Sequence, residues 1–316
     1  MQYALLFPGQ GSQSVGMLAE LGASDPRVEA TFKEASRALD WDVARLIKEG
    51  PEAELNKTEH TQPALLAASI AVWRVWRAEQ AQVPSFLAGH SLGEYSALVA
   101  GGAIDFADAL KIVHLRGQLM QAAVPVGAGG MAAIVGVDDA TVEKLCAAFP
   151  GPGVLEPANY NAPGQVVVAG SASAIEWLHA NAKGFGVRKV VALQMSVPSH
   201  CSLLRGAADQ LAQRLAQIEV RTPTIPVLHN LDAAARSEPS AIRAALTEQL
   251  YRPVRWSRIV QSIEAAGVKL LFECGPGKVL TNMNKRIAPE AQACALEKPE
   301  GQLEAAALLA PQAVQA

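Results

Sequence analysis

Ser85-Phe86-Leu87-Ala88-Gly89-His90-Ser91-Leu92-Gly93 is the stretch whose reading decides the fold. An apolar run stops at a G-x-S-x-G turn, and a helix-forming segment, Leu92 to Ala100, follows at once. This is the pattern of a nucleophile elbow. The serine sits in a tight strand-to-helix bend with its hydroxyl clear of the backbone, and the glycines avoid clashes with the flanking strand and helix. The first N–H groups of the following helix have no intrahelical partner and would face an oxyanion formed beside Ser91. The pattern suggests acyl transfer, against the alternative of a glycine-flanked serine in a plain turn.

On either side of the elbow, short apolar strands alternate with helices. A strand at 3–7, a buried helix near 63–78, the strand at 85–88, the helix at 92–100 and a helix carrying Arg116 predict a parallel sheet covered by helices. After the turn-rich Val126-Gly127-Ala128-Gly129-Gly130 the order changes. It becomes strand 131–137, helix 140–149, strands 154–158 and 165–169, helix 174–184 and strand 188–195, the β-α-β-β-α-β order of a ferredoxin-like unit. Strands at 225–229 and 268–273 return to the first pattern. The expected fold is therefore α/β: a large α/β-hydrolase-like domain with a parallel sheet, built from residues 1–125 and 197–316, and an inserted ferredoxin-like subdomain, residues 126–196. The alanine-rich end after Pro299 reads as a short helix with a frayed tail.

A nucleophilic serine needs a base, and the chain holds six histidines. His179 and His114 fall in helical stretches, His60 precedes a helix start, and His90 lies inside the elbow, badly placed to reach the Ser91 hydroxyl. His200 follows the loop Ser196-Val197-Pro198-Ser199 and could project into a cleft; His229, ending the strand-like Ile225-Pro226-Val227-Leu228, is its rival.

Arg116 lies on the apolar face, marked by Ile112, Val113, Leu119 and Met120, of a helix that Asp105 would cap. A guanidinium there needs an acceptor, because a buried unpaired charge is very costly. A structural ion pair or a snorkelling side chain would supply one. With a serine nucleophile upstream, so would the free carboxylate of a dicarboxylic acyl group, matched by arginine's bidentate fork.

Composition limits the alternatives. Of 316 residues, 50% are hydrophobic and 18% charged, enough for a substantial core, and a net charge of −3 argues against general nucleic-acid binding. The basic groups Arg188-Lys189, Arg252/Arg255/Arg258 and Lys285-Arg286 read as solvated faces or as a landing site for an acidic partner. Cys146, Cys201, Cys274 and Cys294 have neither C-x-x-C nor metal-ligand spacing, and Cys201 beside His200 is read as a packing residue. Gly275-Pro276-Gly277-Lys278 lacks the first glycine and the Ser or Thr of a phosphate loop. Met1 to Phe7 is too short for a signal peptide, and the apolar stretch Ala64 to Trp73 is too short to span a bilayer, so a cytoplasmic protein is expected.

Taken together, Gly9-Gln10-Gly11-Ser12-Gln13, Thr61-Gln62-Pro63-Ala64, Gly89-His90-Ser91-Leu92-Gly93-Glu94, Arg116-Gly117, Asn159-Tyr160-Asn161-Ala162-Pro163-Gly164-Gln165, Val197-Pro198-Ser199-His200 and Gly275-Pro276-Gly277 resemble the bacterial malonyl-CoA:acyl carrier protein transacylases, in order, from Phe7 to about Arg286. The resemblance implies Ser91 as nucleophile, His200 as base and Arg116 as clamp for the malonyl carboxylate. It further implies Gln10 and the Leu92 N–H as oxyanion hole, the Gln249 backbone carbonyl orienting the histidine, and Gln62 and Asn161 on the substrate side. Malonyl-CoA and the phosphopantetheine thiol of acyl carrier protein would be the substrates, without metal or organic cofactor, on a monomer that binds neither nucleic acid nor membrane. Fatty acid synthesis is the expected pathway and polyketide assembly the alternative. The Val-Pro-Ser-His form at 197–200 departs from the His-Ala-Phe-His form common in malonyl-selective polyketide modules. A serine esterase or thioesterase would share the elbow and base but would not require Arg116, and a non-catalytic carrier-binding module would leave all three unexplained.

Overall fold

The computed structural model describes residues 1–193 and 197–310. Gln194, Met195 and Ser196, where the last strand and the insert were expected to end, and the tail beyond Ala310 lie outside the described residues.

The strands are β1 (Tyr3–Phe7), β2 (Phe86–Gly89), β3 (Gly129–Val135), β4 (Leu155–Ala162), β5 (Gln165–Ser171), β6 (Lys189–Ala192), β7 (Val227–Leu228), β8 (Leu270–Glu273) and β9 (Gln292–Ala295). They form two sheets, a five-stranded one ordered β7-β2-β1-β8-β9 and a four-stranded one ordered β4-β5-β3-β6. Every pairing in the first is parallel and every pairing in the second antiparallel. The second has the strand order of the ferredoxin-like unit that the sequence predicts. β4 also bridges to Val254, in the connection between the helices Pro239–Gln249 and Trp256–Ala265: Val254 N donates to Ala158 O at 2.9 Å and Tyr160 N to Val254 O at 2.8 Å.

Register puts the reactive loops together. Phe7 is level with Gly89, and Leu6 with Glu273. The loops after β1, β2 and β8 therefore leave the same carboxyl edge of the sheet, where open α/β sheets form their clefts. Among the described residues no helix is long and apolar enough to cross a membrane.

Some expected boundaries move, for identifiable reasons. The helix expected from Pro63 instead spans Thr58–Glu79, with Pro63 inside it. Proline lacks the N–H that the carbonyl four residues earlier needs, and the Glu59 carbonyl is met instead by His114 Nδ1 at 2.9 Å. His60 accordingly lies within that helix rather than before it, and its ring stacks on His114. The strand expected at 225–229 shrinks to Val227–Leu228, because Pro226 can offer the sheet only its carbonyl, which accepts from Leu87 N at 2.9 Å. The edge strand β9 and several helices, among them Pro26–Leu39, Val43–Glu49, Pro239–Gln249 and Trp256–Ala265, are additional elements.

Candidate active site

The elbow at the end of β2 is as tight as its glycines require. A Cβ on Gly89 would fall 1.9 Å from the Gly93 carbonyl carbon, and one on Gly93 would fall 2.1 Å from Phe7 O. Ser91 between them has φ 52, a left-handed conformation unfavourable for a side-chain-bearing residue. It is held from both sides by the buried Asn230, whose Oδ1 accepts from Ser91 N at 2.7 Å and whose Nδ2 donates to Gly89 O at 2.7 Å. With the Ser91 N–H committed to Asn230, the amides still without a partner among the described residues include those of Leu92 and Gln10. Both residues line the cavity over Ser91.

His200 is 3% exposed and also left-handed, with φ 61. Its Nδ1 lies 2.7 Å from Gln249 O, and its Nε2 lies 2.7 Å from Ser91 Oγ. A carbonyl can only accept, so Nδ1 carries the proton and Nε2 is left to accept from the serine. Burial, and then the nearby Arg116 cation, push the His200 imidazole down to about 3, against the Gln249 bond, which favours the charged form. The ring is therefore neutral at neutral pH. Its rival His229 faces away: Nδ1 is 2.7 Å from Glu94 Oε1 in a fully buried pair.

Arg116 comes from the helix Phe106–Ala123, whose N-cap Asp105 accepts from Ala107 N at 2.9 Å. The adjacent Gly117 allows this helix to press against Thr58–Glu79, since a Cβ there would fall 2.5 Å from Glu59 Cα. The close crossing brings Arg116 Nη1 to Gln62 Oε1 at 2.7 Å. Nη2 donates to Gln249 Oε1 at 3.0 Å and to Ser91 Oγ at 3.2 Å. Burial lowers the guanidinium's pKa from its usual value.

Gln62 thus differs from its expected position on the pocket wall. It is fully buried behind Arg116, with Nε2 3.4 Å from Met120 Sδ, because its side of the helix faces the neighbouring helix. Gln249 likewise acts from behind, through its backbone oxygen on His200 and its side chain on Arg116. Asn161 does line the cavity, and its Oδ1 lies 2.8 Å from His90 Nε2. Gln10 Nε2 donates to Thr58 Oγ1 at 3.3 Å. The cavity measures about 150 Å³; Met131, Asn159, Asn161 and Val167 of the four-stranded sheet form one wall, and Val279, Leu280 and Met283 another.

Sequence reasoning missed Asn230 and Glu94. Glu94 Oε2 accepts from Asn230 N at 2.9 Å and from Gln249 Nε2 at 3.0 Å, and Gln249 Nε2 also donates to Ser91 O at 3.0 Å. The signal for Glu94 was a lone acid in the first turn of a mostly apolar elbow helix. Cys201, beside the base, points elsewhere: it is buried, its Sγ lies 3.4 Å from Pro198 O, and burial pushes the thiol up to about 12. Among the described residues no cluster of His, Cys, Asp and Glu could hold a metal ion.

A strained serine at a strand-to-helix elbow, a neutral imidazole on its hydroxyl and free amides above it define a serine acyltransferase site on an α/β sheet. Residues 4–301 match the acyl transferase domain family. The chain is 53% identical over 298 residues to the malonyl CoA-acyl carrier protein transacylase of Salmonella typhimurium strain LT2, covering 94% of this chain and 96% of that protein. Among solved structures, an acyl carrier protein S-malonyltransferase from Vibrio cholerae superposes with TM-score 0.94 at 49% identity, covering 97% and 100% of the two chains. A malonyl-transacylase in complex with its type II polyketide acyl-carrier protein superposes with TM-score 0.95 at 48% identity, covering 96% and 99%. The chain belongs to the malonyl-CoA:acyl carrier protein transacylase family.

Proposed function

We propose that the protein moves a malonyl group from malonyl-CoA to the phosphopantetheine thiol of an acyl carrier protein in two half-reactions through a malonyl-Ser91 ester. The observation that carries this reading is one contiguous set: Ser91 Oγ lies 2.7 Å from a neutral His200 and 3.2 Å from the buried Arg116. His200 Nε2 takes the Ser91 proton as Oγ attacks the thioester carbonyl, and the Leu92 and Gln10 groups stabilise the oxygen's negative charge. The tetrahedral adduct collapses, the carbon–sulfur bond breaks, and His200 returns the proton to the departing CoA thiolate. The carrier thiol then enters and the steps run in reverse.

In this reading Gln249 replaces the acid of a triad with a backbone oxygen, and Arg116 receives the malonyl carboxylate in a bidentate contact. Gln62 and Gln249 aim the guanidinium, and Asn161 and His90 shape the wall that the acyl group passes. The cycle uses no metal or organic cofactor, since CoA and phosphopantetheine arrive as parts of the substrates. Residues 126–196 serve as an inserted subdomain that closes one side of the cleft. All named groups come from one chain, as suits a working monomer, and four buried unpaired cysteines suit a reducing cytoplasm.

Supply of fatty acid synthesis is the pathway proposed; the likeness to a transacylase of a polyketide carrier keeps that pathway as the second reading. Incubation with malonyl-CoA and holo carrier protein tests the function. Malonyl-carrier should form far faster than malonate. Predominant release of malonate would make the protein a hydrolase.

A further inference from the structure

Arg116 is 1% exposed, and its hydrogen-bond acceptors, Gln62 Oε1, Gln249 Oε1 and Ser91 Oγ, are all uncharged. Among the described residues no carboxylate forms an ion pair with it. Glu94 acts on it from a distance, is linked to it by hydrogen bonds only through the Gln249 carboxamide, and is shared with His229 and Asn230. The cation is therefore buried without a counter-ion in contact, a state that costs free energy until an anion arrives. It is also bonded to the atom that must react. The sequence Arg116 Nη2, Ser91 Oγ, His200 Nε2 is a continuous chain with steps of 3.2 and 2.7 Å.

We propose that Arg116 restrains the Ser91–His200 pair until a carboxylate occupies the guanidinium, so that the malonyl carboxylate activates the chemical step as well as anchoring the substrate. The inference rests on the malonyl-transfer reading above. In the free site one lone pair of Oγ is engaged by Nη2. As Oγ attacks, its proton passes to His200 and the negative charge moves to the thioester oxygen, away from the guanidinium. An imidazolium is then left near a guanidinium that has no counter-ion in contact, in a buried site where like charges repel strongly. The same conflict already appears in the free protein, where Arg116 is the second cause, after burial, of the weak basicity of His200. A carboxylate on Arg116 removes it twice over, by drawing Nη2 off Oγ and by cancelling the charge. An acetyl group ends in a methyl and does neither, so it should react slowly even when bound.

An activator that acts this way can be supplied as a separate molecule. Acetyl-CoA plus formate contains the thioester and the carboxylate of the natural substrate without the bond between them. Acetyl transfer from saturating acetyl-CoA to holo carrier protein is measured with sodium formate and with sodium chloride at equal ionic strength. In the wild-type protein formate should raise kcat saturably, on the order of tenfold, with little change in KM. Arg116→Ala and Arg116→Gln should show raised acetyl kcat without formate and no response to it. Formate that leaves kcat unchanged, inhibits, alters only KM, or stimulates the variants equally would overturn the proposal. Intact mass after malonyl-CoA alone separates the two levels of failure. Absence of the malonyl ester refutes the malonyl-transfer reading, whereas its presence with a silent formate arm refutes only the restraint by Arg116.

Discussion

The two sheets bury their strands differently, and the contrast separates chemistry from access. In the parallel sheet, β1 sends Tyr3, Leu5 and Phe7 into one core and Ala4 and Leu6 into another, so it is packed on both faces. In the antiparallel sheet, β3 sends Ala132 and Ile134 into a core of its own, while Met131 and Ala133 join only a small cluster beside the cleft. Its edge strand β6 is largely exposed. A strand packed on both faces holds its carboxyl end rigidly, and there the elbow and the Gln10 loop sit. The thinner inner face of the second sheet supplies Met131, Asn159, Asn161 and Val167, which shape the cavity but include no reacting atom. His200 follows the connection back from the second sheet to the first, with its ring fixed by Gln249.

If this division holds, substitutions on the parallel-sheet side should damage the chemical step and those on the antiparallel side should damage binding. The largest effect is expected for His200→Ala, which should slow acylation by roughly 10²–10⁴-fold with little change in KM. Rapid-quench mass measurements check this; a near-normal rate there with an inactive His229→Ala would transfer the base role to His229.

Arg116→Ala should come next. Loss of a buried charge-assisted bidentate contact corresponds to roughly 2–5 kcal/mol in kcat/KM for malonyl-CoA. Acetyl-CoA has no carboxylate to lose, so its use should improve. Equal losses for the two thioesters would reduce Arg116 to a structural residue.

Asn161→Ala, on the antiparallel side, removes the bond to His90 and should cost about 1 kcal/mol, seen as a several-fold rise in KM with kcat nearly unchanged. A loss confined to kcat would blur the contrast between the sheets.

The smallest effect is an absence of change with pH. The depressed His200 pKa keeps the imidazole unprotonated as pH falls below the ordinary histidine range, and the base is lost only near about 3. Acylation should therefore vary little between about pH 7.5 and about pH 5.5, where an unperturbed histidine would lose most of its base form. Unfolded protein does protonate this histidine, so its contribution to folding stability is complete above the ordinary histidine range and is lost progressively as the pH is lowered from there toward about 3. An acylation rate that drops through pH 6.5 would show that the base is ordinary in solution.

How legible all this was in the sequence depends on the range of the signal. Local patterns carried well. The elbow glycines, the Asp105 cap and the two strand-helix rhythms are set by neighbours in sequence, and they fixed both sheets and the α/β class. The edge strand β9 is short and half-buried, so it lacks a long apolar run. Pro63 misled because proline at a helix start is the common case, and only the distant His114 makes a proline inside the helix affordable. Asn230 and Glu94 act over separations of about 140 residues, through buried polar bonds that leave no periodic trace. Gln62, expected on the pocket wall, sits behind Arg116, since the helix crossing set by Gly117 cannot be read from either segment alone.

The central claim, that the elbow serine carries the malonyl group, is tested most directly by brief exposure to malonyl-CoA followed by peptide mapping of the labelled protein and a chase with holo carrier protein. The expected result is one malonyl ester on Ser91 that disappears as malonyl-carrier forms. A malonyl group on Cys201 or another residue, or a Ser91 ester that the carrier thiol does not discharge, would contradict it.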